Sequence, residues 1–377
     1  MSPLKNEGLN NLFLSVIVVL SYFSKKEGWT MSEQQKAKPE DFDWDNLGFE
    51  YHDLPYRFRA YYKDGKWSEG GLETDANIPV NEAATGLHYG QNIFEGLKVY
   101  RRKDGGANLF RPDRNAKRLQ NSADRLMMAP VPEELFLRAL KEVTKANQDF
   151  IPPYGTGATL YLRPFEFGGG PVVGVHPADN YVFEVYATPV GAYYKGGLTP
   201  TAYVTNHYDR AAHGGTGAAK AGGNYGASML AGDEAHKAGY SDVVYLDPRL
   251  HENIEELGSA NFFGITKDGR FLTPKSPSIL PSVTKYSLLA VAQELGLEAE
   301  ETTISINDLD QFAEAGAMGT AAVISPVGSI THQGNKHVFY SETEVGPWTQ
   351  KLYDRLTAIQ YGDQEGPEGW AVDVPLD

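Results

Sequence analysis

Residues 214–226 read GGTGAAKAGGNYG, a stretch in which one lysine, Lys220, stands among six glycines. An ordered glycine costs backbone entropy, so a cluster of glycines needs a compensating reason. The usual reasons are unusual torsions or the close approach of a ligand to the backbone. A lysine amine in such surroundings is suited to contact a phosphate or a carbonyl group of that ligand.

Three kinds of site commonly contain a lysine among glycines, and this sequence lacks the residues that two of them require. A Walker phosphate loop needs glycine directly before the lysine and Ser or Thr directly after it, whereas Ala219 and Ala221 stand there. A dinucleotide fingerprint starting at Gly215 needs Gly or Ala where Lys220 stands. The third mode is a lysine that forms a Schiff base, favoured where a dry site or nearby cations lower its pKa. Taken alone, the stretch leaves an exposed lysine on a flexible loop equally open.

The composition narrows the classes of function. The chain has 377 residues, enough for two domains, and 34 basic against 49 acidic residues give a net charge of −15. That charge argues against nucleic acid or an anionic membrane as a partner. The absence of cysteine excludes disulfides, thiolate nucleophiles and cysteine metal sites, and no metal site is predicted. The apolar run 12–23 is too short to span a bilayer. No small-residue cleavage pattern follows it, so a secretory signal is the less favoured alternative to the cytoplasmic protein that we expect.

The patterns along the chain predict mixed α and β structure in two domains. Residues 1–45 are predicted to be a loose N-terminal extension, and 46–187 a smaller α/β domain. A linker that contains Pro and Gly, TPVGAYYKGG, covers 188–197. The larger domain, 198–377, then carries Lys220.

Helices are predicted where apolar residues recur at helical spacing, as Leu119, Ala123 and Leu126 do. The predicted helices are about 113–126, the segment after Pro132, 225–237, 284–295 and 347–360. The predicted strands are 57–62, 159–163, 180–187, 199–205, 242–246 and 316–324, with a hairpin around 267–269. The acidic tail after Gly362 is predicted to fray.

Three further segments supply what a pyridoxal phosphate site needs besides a lysine. Such a site requires an acid for the pyridine nitrogen, donors for a dianionic phosphate and a second anion site for the substrate carboxylate. EELGSANFF (255–263) places a carboxylate beside a turn that bears a hydroxyl. LPSVTKYSLL (280–289) leads into a helix start, whose free amides favour phosphate. GAMGTAA (316–322) is another turn of small residues with a hydroxyl.

In this order, the segments resemble those of branched-chain amino acid aminotransferases, pyridoxal phosphate enzymes of the fold-type IV group. LHYGQNIFEGLKVY (87–100), LFRPDRNAKRL (109–119) and TLYLRP (159–164) are similar to the same family, and the resemblance covers about 49–361. It implies a two-domain, mixed α/β (α+β) fold with pyridoxal 5'-phosphate at the domain junction. It also implies a homodimer.

The resemblance implies a role for each matching residue. Lys220 resembles the lysine that carries the cofactor and shuttles the proton, and Glu256 the carboxylate paired with the pyridine nitrogen. Arg111 and Arg210 resemble the phosphate-side arginines, and Tyr225 the tyrosine at the cofactor's phenolic oxygen. The other residues implied to hold the cofactor are Ser259, Val283, Thr284 and Thr320. Those implied to bind substrate are Tyr89, Phe94 and Tyr161 as an aromatic wall, Arg163 for the side-chain carboxylate of glutamate, and Ala321 and Ala322 through their amides.

The activity implied is reversible transamination of leucine, isoleucine and valine with 2-oxoglutarate, which yields branched 2-oxo acids and L-glutamate. A D-amino acid aminotransferase or an aminodeoxychorismate lyase remains an alternative, because these enzymes share the lysine and the glutamate. A nucleotide-binding module that uses the glycine loop is a remote alternative. Each residue above also has a structural explanation, since aromatic residues most often serve packing and most charged pairs are solvated.

Overall fold

The computed structural model describes residues 36–193 and 197–376. Within these residues the chain forms α-helices and two nine-stranded sheets, which confirms the mixed α and β class. The apolar run 12–23, most of the predicted extension and three residues of the predicted linker lie outside the described residues. Strand Tyr181–Val190 of the first sheet includes the first three residues of the predicted linker 188–197, and the next strand begins at Thr201. The division into two domains stays a prediction.

The first sheet is built mainly from the first half of the chain. Its strands are β1 Arg57–Lys63, β2 Lys66–Trp67, β3 Gly71–Glu73, β4 Asn92–Phe94, β5 Leu97–Arg101, β6 Ala107–Phe110, β7 Thr159–Gly168 and β8 Tyr181–Val190. The long antiparallel pair β7 and β8 lies at its centre. Buried and partly exposed side chains alternate along β7, so Tyr161 and Arg163 lie on the face opposite to the core residues Leu160 and Leu162.

The second sheet is built from the chain that follows the linker. Its strands are β9 Thr201–Thr205, β10 Asp242–Leu246, β11 Ile254–Leu257, β12 Ala260–Thr266, β13 Arg270–Pro274, β14 Glu298–Thr302, β15 Phe312–Gly319, β16 Val323–His332 and β17 Asn335–Val338. They follow the order β11-β10-β9-β16-β15-β12-β13-β14, with β17 on β16. Because β11 also pairs with β12, six of these strands close into a ring.

The end of the chain returns to the first sheet. Strand β18, Ala371–Val374, pairs antiparallel with β6. The prediction that the tail after Gly362 frays is therefore wrong. The tail is held in place by a contact distant in sequence. Trp370 packs edge-on against Phe110, with 5.7 Å between the ring centroids, and both side chains are buried.

Helices cover the two sheets, and none among the described residues is long and apolar enough to cross a membrane. They are α1 Thr85–His88, α2 Pro112–Arg125, α3 Glu133–Ala146, α4 Gly222–Lys237, α5 Val283–Glu294 and α6 Pro347–Tyr361, with 3-10 turns at Pro39–Asp41, Gln148–Phe150 and Ile306–Gln311. The predicted helices are confirmed with small shifts at their ends. Helices α2 and α3 pack in the core of the first sheet, and α5 and α6 in a core that also takes Tyr100 and Phe110 from the first sheet.

The predicted strand 316–324 is wrong in one respect. The chain leaves the sheet at Thr320, and β15 and β16 are joined by a three-residue turn, with Gly319 paired to Val323. No proline or asparagine marks this turn, and its small residues fit a strand as well as a turn. Val323 has φ of 64°, a conformation that β-branched residues rarely adopt.

Candidate active site

The glycines around Lys220 allow close packing of the backbone. A Cβ atom on Gly217 would lie 2.1 Å from the carbonyl oxygen of Ser278, and one on Gly222 would lie 2.0 Å from Oδ1 of Asn92. The backbone of Lys220 is fixed on both sides, because its N–H donates to Ser122 Oγ (2.9 Å) and its carbonyl accepts from Phe94 N–H (3.0 Å). Lys220 therefore stands in a fixed position just before α4.

The amine of Lys220 lies in a partly buried site with aromatic neighbours. Its Nζ donates to the hydroxyl of Tyr225 (2.8 Å) and lies 4.7 Å from the ring centre of Phe94. Burial, assisted by the positive charge of Arg118, lowers the pKa of Lys220 from 10.5 to about 8. About a tenth of this lysine is therefore the neutral, nucleophilic amine at pH 7.

The hydroxyl of Tyr225 lies in the first turn of α4. Burial, followed by the charge of Glu256, raises the pKa of Tyr225 to about 12. Its ring meets that of Phe94 edge-on at 4.9 Å. Tyr225 is therefore a neutral hydroxyl that accepts from Lys220 and retains its own proton for donation.

Glu256 is a buried carboxylate on β11. It accepts from Asn261 Nδ2 (3.0 Å) and from the N–H of Leu280, and its Oε2 lies 2.9 Å from Arg210 Nε. Burial raises the pKa of Glu256 to about 7, and the positive charge of Arg210 opposes the rise. The solvated explanation for Glu256 is therefore contradicted by its 4% exposure.

Arg210 links the lysine stretch to this carboxylate. It donates to the carbonyl oxygens of Gly217 and Ser278, each at 2.8 Å. Its described contacts thus go to Glu256 and to the backbone, and its predicted role at the phosphate stays a prediction. The structure brings Lys220, Tyr225, Glu256 and Arg210 into one connected site.

Arg118, which the sequence reasoning missed, also belongs to this site. Its guanidinium donates to both carboxylate oxygens of Glu95 (2.7 Å each) and to the carbonyl oxygen of Pro281 (3.2 Å). Arg118 shares the buried face of α2 with Asn115 and Ser122. The helical spacing of these three polar residues was the available signal.

Arg111 lines a further cavity, which it shares with Arg118 and Val283. It is the residue before α2, with φ of 47°, and its Nη1 donates to Ser287 Oγ (2.8 Å). Its guanidinium carbon lies 4.6 Å from the ring centre of Trp370. Among the described residues, no contact joins Arg111 to Lys220, so its predicted role at the phosphate stays a prediction.

The predicted phosphate donors lie at turns and at a helix start. Val283 and Thr284 are buried in the first turn of α5, where the Ser282 hydroxyl caps the helix by accepting from a backbone N–H. Thr320 opens the turn between β15 and β16. Ser259 is exposed in the two-residue turn between β11 and β12. The free amides at the start of α5 form a natural anion site.

The predicted substrate wall assembles around Phe94. Arg163 Nη2 donates to the hydroxyl of Tyr161 (3.1 Å), and its guanidinium carbon lies 4.8 Å from the ring centre of Phe94. Lys220 contacts the same ring. Tyr89 is 39% exposed and donates to the carbonyl of Val173, so the described contacts do not bring it to Lys220.

Two cavities lie beside these residues. One, of about 440 Å³, is lined by Leu87, Phe94, Arg163, Phe165, Phe167 and Tyr186 among others. The second, of about 500 Å³, is lined by Lys98, Tyr100, Thr159, Ala321 and Ala322 among others. The first is largely apolar with one guanidinium, which suits a small ligand that has an aliphatic side chain.

Comparison with known proteins gives consistent results. Residues 92–330 match the family model of amino-transferase class IV. The chain is 61% identical over 340 residues to the branched-chain-amino-acid aminotransferase of Haemophilus influenzae, covering 89% of this chain and 99% of the relative. The corresponding protein of Helicobacter pylori is 52% identical, with 89% and 98% covered. The solved structure of the Escherichia coli branched-chain amino acid aminotransferase superimposes with a TM-score of 0.70 at 28% identity, covering 85% of this chain and 99% of that one.

Proposed function

The chain belongs to the class IV aminotransferases, and from this premise we propose that it transfers amino groups between branched-chain L-amino acids and 2-oxoglutarate. Leucine, isoleucine and valine are the donors, and branched 2-oxo acids and L-glutamate are the products. The observation that carries the proposal is the desolvated amine of Lys220 beside Tyr225, linked through Gly217 and Arg210 to the buried Glu256. The high identity to relatives of that name favours this activity over a D-amino acid aminotransferase or a lyase.

The residues of the site fit pyridoxal 5'-phosphate. Lys220 would hold its aldehyde carbon covalently, and Glu256 would pair with its pyridine nitrogen. The amides of Val283 and Thr284, with the hydroxyl of Thr320, would serve its phosphate. When bound, the cofactor supplies an electron sink that stabilises negative charge at the substrate α-carbon.

The protein's own groups then move the proton and control charge. The amine of Lys220 takes the proton from the substrate α-carbon and would return it to the carbon that carried the cofactor's aldehyde. Its lowered pKa allows it to act as a base near neutral pH. The ionised carboxylate of Glu256 would stabilise a positive charge on the pyridine nitrogen, and Arg210 and Asn261 hold that carboxylate in place. Tyr225 orients the Lys220 amine by its hydrogen bond.

The substrate side must hold an aliphatic chain in one half-reaction and a second carboxylate in the other. Phe94 and the apolar cavity suit the first requirement, and the guanidinium of Arg163 suits the second. One methylene changes selectivity in an apolar pocket by only about 1–3 kcal/mol, so leucine, isoleucine and valine should all be accepted.

A cytoplasmic homodimer completes the proposal. Three apolar side chains, Leu87 of α1 and Val173 and Val175 of the loop between β7 and β8, are 64%, 88% and 87% exposed, and Leu87 also lines the apolar cavity. The loop lies beside α1, because Val172 N–H donates to the carbonyl of Ala83 and the Tyr89 hydroxyl donates to that of Val173. Exposed apolar groups so close together favour a covered surface. Sedimentation velocity at micromolar concentration should give twice the chain mass, and a monomer would contradict this part.

The central test is chemical labelling of the lysine. Protein purified with pyridoxal phosphate is treated with borohydride and digested, and we expect a pyridoxyl group on Lys220 alone. In parallel, L-leucine and D-alanine are compared as amino donors to 2-oxoglutarate, and only leucine should react. An unlabelled Lys220, or D-alanine as the better donor, would overturn the proposal.

A further inference from the structure

Lys98 is a buried lysine that the activity described so far does not use. It lies on β5, paired with Tyr161 of β7, and is 7% exposed. Its one described contact is a hydrogen bond from Nζ to the carbonyl oxygen of Ala321 at 2.6 Å. By comparison Lys285, also buried, has Glu301 at 2.6 Å.

No carboxylate neutralises Lys98 in the described part of the chain. Two carboxylates line the same cavity, but Asp354 accepts from Gln350 and Asp363 accepts from Tyr154. Burial lowers the pKa of Lys98 to about 8, and no acidic group opposes that effect. A buried cation without an anion is costly, so such a position indicates that an anion arrives from outside the chain.

The turn that Lys98 contacts offers donors for that anion. The N–H groups of Thr320, Ala321 and Ala322 have no acceptor among the described hydrogen bonds. The following residue, Val323, has φ of 64°, a strained conformation that persists only where surrounding contacts hold it. Three successive free amides beside a cation form an anion site of the kind that binds carboxylates.

The hydrogen bond from Lys98 orients the peptide group between Ala321 and Ala322, so that an anion approaches its N–H and not its carbonyl oxygen. The peptide group of Ala321 and Ala322 is planar, so a carbonyl oxygen held by Lys98 fixes the direction of the Ala322 N–H. The same contact keeps the negative carbonyl oxygen turned toward the ammonium and away from an approaching carboxylate. The positive charge of Lys98 then lies next to the turn that carries the free amides. It attracts the bound anion electrostatically without contacting it directly.

We propose that Lys98 is a positioning residue for the substrate α-carboxylate, which it serves by holding the Ala321 carbonyl and thereby the turn 320–322. The inference rests on the proposed function, because amino acids and 2-oxo acids share a carboxylate next to the reacting carbon. Lys98 therefore acts in both half-reactions, whereas Arg163 acts only on the second carboxylate of glutamate.

The test compares Lys98→Met with Lys98→Arg, which retains charge and donor, and with Lys98→Gln, which retains a donor alone. Tyr100→Phe, on the same strand face and lining the same cavity, is the matched control. Calorimetry on the cofactor-loaded protein measures binding of 4-methylvalerate and of 4-methylpentanamide, its uncharged analogue. Loss of a hydrogen bond to a charged group predicts about 10- to 100-fold weaker binding of the carboxylate to Lys98→Met. The amide should change by less than about twofold, and Lys98→Arg should bind both as the wild type does.

The kinetics give a second measurement. In Lys98→Met, the KM values of leucine and glutamate should rise by the same factor of about 10 to 100, with kcat within about threefold of wild type. If Lys98→Met does not take up cofactor, Lys98→Gln carries the test, with an intermediate loss expected. Equal weakening of the carboxylate and the amide, or failure of Lys98→Arg to restore binding, would overturn the inference. Failure of the proposed function appears instead in the wild type, as an unlabelled Lys220 or no reaction with leucine.

Discussion

The two sides of the site treat buried charge in opposite ways. On the side of Glu256, the buried charges are paired within the chain, Glu256 with Arg210 and Glu95 with Arg118. On the side of the turn 320–322, the buried ammonium of Lys98 and the neighbouring amides are left without an anion among the described residues. A site that keeps one ligand permanently gains from fixed internal pairing. A site that binds and releases an anion in each half-reaction needs hydrogen-bond donors that are oriented in advance and have no partner within the chain.

The largest effect is expected from Lys220→Ala, which removes the amine itself. The rate of transamination between leucine and 2-oxoglutarate should fall by at least about 10⁴-fold, because the base and the covalent attachment are lost together. Lys220→Arg is the control for charge, and it should be equally inactive. Retention of more than a hundredth of the wild-type rate in either variant would place the chemistry elsewhere.

Glu256→Gln probes the paired side of the comparison. It keeps the shape but removes the charge that faces Arg210, so kcat should fall about 10²- to 10³-fold. Glu255→Gln is the matched control, because this neighbour points to the other face of β11, where it contacts Ser276. Steady-state rates should be near wild type for Glu255→Gln, and a similar fall in both variants would show general damage to the strand.

Replacement of arginine by lysine at positions 118 and 111 compares Arg118, which the structure places in the site, with Arg111, which the sequence predicted to bind the phosphate. Arg118→Lys loses the two-pronged contact with Glu95, and the affinity for pyridoxal phosphate should fall about 10- to 100-fold. Arg111→Lys should weaken it by less than about threefold, since Arg111 contacts Ser287 and Trp370. Equilibrium dialysis of the cofactor measures both affinities, and the reverse order would support the prediction that Arg111 serves the phosphate.

The smallest effect concerns pH. The pKa of Lys220 is about 8, so about a tenth of the amine is neutral at pH 7 and nearly all of it at pH 9. The rate at which cofactor-free protein captures pyridoxal phosphate should rise about tenfold over this range and level off above it. Stopped-flow absorbance measures the rate. A rate that continues to rise toward pH 10.5 would show an ordinary, solvated lysine.

Much of the fold and the centre of the site could be predicted from the sequence. The helices had clear apolar spacing. The lysine stretch and EELGSANFF identified Lys220 and Glu256, and Arg210 links Glu256 to the lysine stretch at the carbonyl of Gly217. Arg118 was missed because the prediction chose Arg111, the arginine just before α2, although the helical spacing of Arg118 with Asn115 and Ser122 was a signal in the sequence. GAMGTAA was identified as a turn of small residues, but its position was not, so a continuous strand 316–324 was predicted where the chain turns after Gly319. The pairing of the tail was missed because it has no local signal and depends on a contact distant in sequence.

The edge strand β18 has a consequence for biogenesis. It pairs with β6, the strand that leads directly into α2 with Arg118 and Ser122. The first sheet is therefore complete only once residues 371–374 have been synthesised, long after its other strands. Folding of the amino-terminal half must wait for this distant segment, even though its other strands emerge from the ribosome first.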